Sequence, residues 1–329
     1  MTTVNASQSN VEKLESTRTN TNVVGTDTAM NIFGACGSSA VKMFKKTENT
    51  PEIDEHKFDE FMIITGLAWM FTDTGQNLFL TGPTGAGKSS FVEQFCARIG
   101  MPVYVVACHG KLEFNDLIGS WHLCDTGKKW ADGPAIRAMK EGSVLLLDEV
   151  NFLDASVIGG LNRLFDGRPY YIIETNETVV PHPEFRIACT SNPFDPKYKG
   201  VKKMNAAFLD RVLAEKVDYL DPLVEAAILN KKVPGLSSWI IDLTIGIAGL
   251  VRTQFKEGEM ETTISTRGLI RWGKMIKMYG KSLAEATKAK DAAKCSEILN
   301  RALGTAVTNR ADPVEQQAIE ALIVKTLKL

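Results

Sequence analysis

The chain has 329 residues, of which 44% are apolar, and its formal net charge is −1. This length allows one large or two modest domains, and the near-neutral charge gives no overall attraction to nucleic acid or to a membrane surface. The six cysteines are scattered, the start of the chain lacks a basic-then-apolar signal pattern, and no apolar run reaches the roughly 20 residues of a membrane span, so we expect a cytoplasmic protein without a membrane partner.

Three regions follow one another along the chain. Residues 1–50 are rich in Thr, Asn and Ser and are expected to form a flexible arm. Residues 51–222 alternate short apolar runs with helical patterns, which predicts an α/β fold with a parallel sheet between helices. The expected strands are 77–81, 103–107, 143–147, 186–190 and 213–219, and the expected helices are 56–71, 88–99, 134–140, 155–165 and 205–211.

The remaining residues, 223–329, are predicted to form a smaller helical domain. One of its helices is expected to begin after Asp312, with Pro313 at the first helical position. Glu315 follows at the spacing of a capping box, in which its side chain would bond back to the start of the helix.

A glycine-rich turn joins an apolar strand to a helix in the stretch LFLTGPTGAGKSS, residues 78–90. The pattern GxxxxGK[ST] is typical of a phosphate-binding loop, in which backbone N–H groups and a helix N-terminus surround the phosphates of ATP. An ordinary glycine turn is the alternative, but the flanking strand and helix argue against it. Lys88 is expected to reach the β- and γ-phosphates, and Ser89 to bind Mg²⁺. The expected nucleotide-binding residues of the loop are Gly82, Pro83, Thr84, Gly85, Ala86, Gly87, Lys88, Ser89 and Ser90.

Two carboxylates, Asp148 and Glu149, end the apolar run of SVLLLDEV. Open α/β sheets bind ligands at the carboxyl ends of their strands, so Asp148 is expected to hold Mg²⁺ and Glu149 to orient the attacking water. Asn192, at the end of FRIACTSNP, is expected to hold the same water. The alternatives are a solvated acidic turn for the carboxylates and a simple turn at Asn192-Pro193.

These motifs, followed by NAAFLDRV at 205–212, resemble the AAA+ ATPases. The segments DLIGSW, PHPEFRIACTSNP and NAAFLDRV are similar to the MoxR-type group, which includes the cobaltochelatase ATPase subunit and the ATPases that activate Rubisco and nitric oxide reductase. TPEIDEHKF, VVPHPEFR and YKG most resemble the cobaltochelatase (CobS-like) branch. The resemblance covers roughly residues 50–275, and it implies an AAA+ core followed by a helical lid.

The resemblance also implies roles for two arginines. Arg211 matches the arginine finger, which in such rings acts on the nucleotide of the neighbouring subunit; a local pair with Asp210 is the alternative. Arg267, in STRGLIRW, matches a second sensor that contacts nucleotide from the lid, and Arg271 competes for that role.

Two hairpins are expected by the same resemblance. One, inserted in the second core helix, would have the arms Ser120–Cys124 and Lys128–Trp130, and the other would have its tip at residues 174–176. Such loops typically touch client proteins. Ordinary cross-strand packing of the two tryptophans, Trp121 and Trp130, is an equal alternative.

Three functions are compatible with this sequence. The first is a homo-oligomeric ring ATPase, expected to be a hexamer, that remodels a separate protein client; in this group the client often carries a von Willebrand-type metal-adhesion domain. The second is the ATPase subunit of a cobalt or magnesium chelatase, although the sequence shows no tetrapyrrole site. The third is a nucleic-acid translocase or restriction-type motor, which the lysines of residues 196–203 permit and the near-neutral charge disfavours.

Overall fold

The computed structural model describes residues 22–34, 36, 39–72, 77–125, 127–196, 198 and 200–327. They divide into two compact units, the first reaching Val217 and the second beginning at Asp218; residues 83–86 group with the second. The division therefore lies a few residues before the boundary at 222 that the sequence predicted. Among the described residues, no helix is both long and apolar enough to cross a bilayer.

The first unit alternates strands and helices along the chain. In chain order its elements are β1 (Val23–Thr28), α1 (Ala29–Phe33), β2 (Ala40–Phe44), α2 (Glu60–Phe71), β3 (Asn77–Thr81), α3 (Lys88–Ile99), β4 (Val103–Ala107), α4 (Phe114–Ile118), β5 (Gly119–Cys124), β6 (Gly127–Asp132), α5 (Pro134–Glu141), β7 (Val144–Asp148), α6 (Ala155–Gly160), α7 (Asn162–Phe165), β8 (Tyr170–Ile172), β9 (Glu177–Val179), β10 (Arg186–Ser191), α8 (Ala206–Leu209) and β11 (Val212–Lys216). The single helix expected over 155–165 is thus two short helices, because consecutive glycines at 159 and 160 weaken it.

A parallel five-stranded sheet forms the centre of this unit, in the order β11-β3-β10-β7-β4. Successive side chains point to opposite faces, so Leu78 and Leu80 of β3 join one apolar core and Phe79 joins the other. Strands covered on both faces appear in a sequence as continuous apolar runs. The α/β core predicted from those runs is therefore confirmed.

The first residues described differ from the flexible arm predicted over residues 1–50. Strands β1 and β2 pair antiparallel around α1, and Val41 is fully buried. The ring of Phe33 stacks on Phe95 of α3 with centroids 4.8 Å apart. The few apolar residues of this segment gain their burial from tertiary packing, which local composition does not reveal. The first 21 residues of the predicted arm lie outside the described residues.

Both predicted hairpins are present. Strands β5 and β6 lie between α4 and α5, with Trp121 directly opposite Trp130 and their ring centroids 5.6 Å apart. Strands β8 and β9 form the second hairpin around residues 173–176. Cross-strand packing of the two tryptophans is therefore formed, while half of the Trp121 surface stays exposed.

The second unit is helical. Its helices are α9 (Pro222–Lys232), α10 (Ser238–Glu257), α11 (Thr266–Met278), α12 (Gly280–Lys288), α13 (Ala292–Ala306) and α14 (Pro313–Thr326). Trp272 is fully buried among them and donates its indole N–H to the carbonyl of Leu299 at 3.2 Å. Pro313 begins α14 as predicted, but Glu315 does not close a capping box. Its carboxylate instead accepts the backbone N–H groups of Glu261 and Thr262, which stabilises a loop distant in sequence.

A buried ion pair joins three segments of this helical unit. The guanidinium of Arg252 donates to both carboxylate oxygens of Glu225, at 2.7 and 2.9 Å, and to the carbonyl of Ile264 at 2.7 Å. Thr266, the first residue of α11, donates its hydroxyl to the same carboxylate at 2.6 Å. Glu225 is only 1% exposed, so its charge depends on these partners.

We expect Arg252→Met to lower the free energy of unfolding of the helical unit by about 3–5 kcal/mol, because it leaves the Glu225 carboxylate buried without a counter-ion. The double variant Arg252→Met/Glu225→Leu should recover most of that loss. Lys256→Met is the matched control: it breaks a pair with Asp218 whose side chains are 59% and 58% exposed, and should cost less than about 1 kcal/mol. Urea unfolding of the four proteins checks this, and equal losses in Arg252→Met and Lys256→Met would contradict it.

Candidate functional site

Polar residues from three neighbouring strands meet at one edge of the sheet. The central strand β10 lies between β3 and β7, and all three run parallel. Their carboxyl ends therefore bring together the glycine-rich loop after β3, Asn192 after β10 and Asp148 at the end of β7. This is the edge at which open α/β sheets bind ligands. The structure thus gathers Lys88, Ser89, Asp148 and Asn192, four of the residues that the sequence predicted to act on nucleotide or Mg²⁺.

The glycines of the loop are required by its geometry. At Gly82, an added Cβ would lie 1.9 Å from the backbone oxygen of Val217, so no side chain fits there. Gly87 has φ of +89° immediately before α3, a backbone conformation that L side chains rarely adopt. The loop therefore delivers its backbone to the start of a helix, where free N–H groups and the helix dipole favour an anion.

Lys88 lies within this group of residues and is 8% exposed. Its ammonium donates to the carbonyl of Gly82 at 2.8 Å and to Oδ1 of Asn192 at 3.3 Å. Burial lowers the pKa of Lys88 to about 8, and the negative charges of Asp148 and Glu149 oppose that shift. The charged form therefore still predominates at pH 7, next to the loop that would hold phosphates.

Two hydroxyl groups converge on one oxygen of Asp148. Ser89 and Thr190 each donate to Oδ1 of Asp148, both at 2.5 Å. A carboxylate beside a hydroxyl is a pair of hard oxygen donors that fits Mg²⁺, which completes its shell with water and substrate phosphates. The described residues contain no group of three or more His, Cys, Asp or Glu side chains that could hold a metal by itself. Ser89 and Asp148 are the residues that would hold Mg²⁺ here.

Glu149 has an unusual backbone. Its φ and ψ are +59° and +44°, in the left-handed region that residues other than glycine rarely occupy. Such a conformation costs about 1–3 kcal/mol and persists only where neighbouring groups hold it. Here the backbone N–H of Glu149 donates to the hydroxyl of Thr190 at 2.9 Å.

Asn192 is held through its backbone as well as its side chain. Its N–H donates to Oδ1 of Asn151 at 3.2 Å, and Asn151 is fully buried just after the two carboxylates. Oδ1 of Asn151 accepts this bond, and the amide nitrogen of Asn151 has no hydrogen-bond partner among the residues that the structure describes. Asn151 therefore links the end of β10 to the segment after β7.

Ser90, the last predicted residue of the loop, is bound to a histidine. Its hydroxyl lies 3.2 Å from Nδ1 of His56. Burial, and to a smaller extent the positive charge of Arg98, lower the pKa of His56 to about 4, so the imidazole is neutral at pH 7. A role of Ser90 in binding nucleotide stays a prediction.

Arg211 lies on the side of the sheet where the strands begin, opposite to the carboxyl ends that carry these residues. It directly precedes β11, whose first residue, Val212, pairs in parallel with Asn77 at the start of β3. The five residues of β3 separate this edge from the glycine-rich loop, which at about 3.3 Å per residue corresponds to about 16 Å. An arginine side chain is too short to span that distance. Arg211 therefore does not reach the nucleotide loop of its own chain.

The guanidinium of Arg211 is held by Asp166. Its Nε donates to Oδ1 of Asp166 at 2.6 Å, and its Nη1 donates to the carbonyl of Ala207 at 2.5 Å. The carbonyl of Arg211 accepts both the backbone N–H and the side-chain amide of Asn77. A local ion pair of the kind considered as the alternative is therefore formed, with Asp166 as the partner in place of Asp210.

Arg267 belongs to the second unit, near the start of α11, and is exposed. Partial burial, and then the positive charges of Arg310 and Arg267, lower the pKa of Arg271 one turn further on. Three arginines therefore lie near one another in the helical unit. Contact between Arg267 and nucleotide stays a prediction.

Four residues of these arrangements were not assigned a role from the sequence: His56, Asn151, Asp166 and Thr190. Thr190 and Asn151 could have been suspected, because TSNP and DEVN are short polar runs at the ends of buried strands. Asp166 and His56 had no such signal, since each is joined to its partner only by the tertiary fold.

Two family matches divide the chain close to the boundary between its two structural units. Residues 77–212 match the AAA domain described as the dynein-related subfamily, and residues 225–326 match the CbbQ/NirQ/NorQ C-terminal domain. The first match contains the strands and loop of the site, and the second contains most of the helical unit.

Several curated relatives match more than half of the chain. Protein NorQ of Paracoccus denitrificans is 34% identical, over 64% of this chain and 77% of that protein. The denitrification regulatory protein NirQ of Stutzerimonas stutzeri is 31% identical, over 62% and 73%, and protein CbbQ of Hydrogenophilus thermoluteolus is 31% identical, over 60% and 73%. The chain therefore belongs to the NorQ/NirQ/CbbQ family of MoxR-like AAA+ ATPases, and it is an ATP hydrolase.

Proposed function

We propose that this ATPase works as a homo-oligomeric ring, a hexamer, in which Arg211 of one subunit completes the ATP site of the next. The position of Arg211 at the sheet edge opposite the phosphate-binding loop is the observation that carries the proposal. From that position Arg211 could act on ATP only at a site on another chain. Arginine is suited to this task because its fixed charge and planar fork match phosphate oxygens.

Each residue at the carboxyl edge of the sheet then has a defined task in the reaction. Lys88 binds the β- and γ-phosphates, and Asn192 keeps the lysine and the attacking water in place. Mg²⁺, held by Ser89 and Asp148 when bound, would neutralise part of the phosphate charge. Glu149 orients the water that attacks the γ-phosphate. Arg211 from the neighbouring subunit stabilises the charge that develops in the transition state.

A separate protein is the client in this proposal. The two hairpins support it, because they present large apolar side chains to solvent: Trp121 and Leu123 are 50% and 84% exposed, and Tyr171 and Ile173 are 50% and 77% exposed. Large apolar side chains exposed on two hairpins favour contact with another protein. The name of the relative NirQ as a denitrification regulatory protein is consistent with action on a partner. We further propose a client with a von Willebrand-type domain, and action in the cytoplasm.

The alternatives have weaker support. In the basic loop suggested for nucleic acid, Lys202 forms an ion pair with Asp154, so its charge serves the protein itself; Lys197 and Lys199 lie outside the described residues. The resemblance of this sequence to the CobS-like branch is compatible with a chelatase subunit. The relatives above are NorQ, NirQ and CbbQ proteins, and nothing in the described part of the chain adds support for a chelatase.

Assembly should depend on nucleotide. ATP at a subunit boundary adds contacts that neither subunit makes alone, so by mass action it should favour the ring. We expect light scattering to show a large increase in mass when a non-hydrolysable ATP analogue is added. Lys88→Ala, which removes the loop's cation, is the control and should show no response. A parental protein that stays monomeric at micromolar concentration and saturating analogue would contradict the ring.

Glu149→Gln should bind ATP and fail to hydrolyse it, because an amide cannot polarise water as a carboxylate does.

A ring arrested in this way should retain its client. We expect a protein to co-purify with tagged Glu149→Gln in ATP, to survive nuclease treatment, and to be absent with Lys88→Ala. Capture of nucleic acid alone would favour the translocase, and ATP turnover at the parental rate would exclude Glu149 as the residue that activates water.

A further inference from the structure

We propose that Thr190 is a positioning residue for hydrolysis: its hydroxyl fixes Asp148 and Glu149 relative to each other and holds Glu149 in its left-handed conformation. Thr190 is in β10, two residues before Asn192, and is fully buried. The inference rests on the proposed role of Glu149 in orienting water.

One hydroxyl group makes both contacts. Thr190 donates its single O–H to Oδ1 of Asp148 at 2.5 Å, and its oxygen accepts the backbone N–H of Glu149 at 2.9 Å. A hydroxyl offers one donor and two acceptor lone pairs, so it can serve a carboxylate and an N–H at the same time. Among residues of similar size, valine can do neither, and serine can do both.

The strand register explains why Thr190 is the residue that does this. Cys189 pairs with Leu147 of β7, and Thr190 follows beside the end of that strand, where Asp148 and Glu149 lie. On its other side Thr190 pairs with Leu80 of β3, just before the phosphate-binding loop. The hydroxyl is therefore fixed by strands on both sides, and it transmits that rigidity to the two carboxylate residues.

Because the backbone of Glu149 is left-handed, the hydrogen bond from its N–H to Thr190 affects the direction in which the Glu149 side chain points. Residues other than glycine leave this region unless their surroundings hold them there. Without an acceptor for its N–H, the backbone of Glu149 can relax, and its carboxylate would then point away from the position required for the attacking water. A misplacement of about 1 Å at a reacting centre can lower the rate about 10²-fold.

We therefore expect Thr190→Val to lower kcat for ATP about 10²-fold, with a KM and an affinity for fluorescent nucleotide within a few-fold of the parental protein. Thr190→Ser keeps the hydroxyl and should retain most of the kcat, although it loses a buried methyl group. Thr190→Ala removes the hydroxyl without adding an apolar group and should behave as Thr190→Val. Melting temperatures of all three separate loss of rate from loss of fold.

Two further proteins complete the experiment. Thr244→Val removes a hydroxyl that is also fully buried but donates to the carbonyl of Ile241 in the helical unit, and it should leave kcat unchanged. Glu149→Gln is measured in parallel. If Glu149→Gln is active, the role assigned to Glu149 fails; if it is inactive while Thr190→Val and Thr190→Ala keep the parental kcat, only the present inference fails.

The remaining outcomes also decide the question. A loss of kcat in Thr190→Ser as large as that in Thr190→Val would mean that packing at this position matters and the hydroxyl does not, which overturns the proposal. A loss of nucleotide affinity that accounts for the whole effect in Thr190→Val would overturn it as well. Rescue of kcat by serine at unchanged affinity supports it, even where the valine variant is less stable.

Discussion

The parallel register of the sheet is the constraint on which the site depends. Placing β10 between β3 and β7 brings the phosphate-binding loop, the two carboxylates and Asn192 to one edge. The same register carries Arg211 to the opposite edge, because it precedes a strand that starts level with Asn77. In the proposed ring, one chain provides the phosphate-binding loop, the two carboxylates and Asn192, and a neighbouring chain would supply the arginine.

At the carboxyl ends of the strands, buried polar groups are hydrogen-bonded to one another. Lys88 donates to Asn192, Asn192 donates to Asn151, and Thr190 joins both carboxylate residues. Hydrogen bonds between buried groups restrict the movement of the residues that they join. The left-handed backbone of Glu149 is locally strained, and the hydrogen bond from its N–H to Thr190 helps to keep it in that conformation. Strain of this kind is typical of a functional site.

Much of the first unit could be predicted from the sequence because its strands are buried on both faces and its loop has a fixed pattern. Those features are local. The β1–β2 hairpin, the bond from Glu315 to a distant loop, and the pairing of Arg211 with Asp166 depend on residues far apart in the chain. Thr190 lies within the motif FRIACTSNP, but only the register of β10 against β7 shows what its hydroxyl contacts.

If a complete ATP site needs two chains, then mixing two inactive variants should restore it. Arg211→Ala chains keep Glu149, and Glu149→Gln chains keep Arg211, so a mixed ring contains boundaries at which both are intact. We expect ATP turnover, which is absent in either variant alone, to return across the mixing series. No turnover at any ratio, with subunit exchange shown by fluorescence transfer between labelled chains, would contradict it.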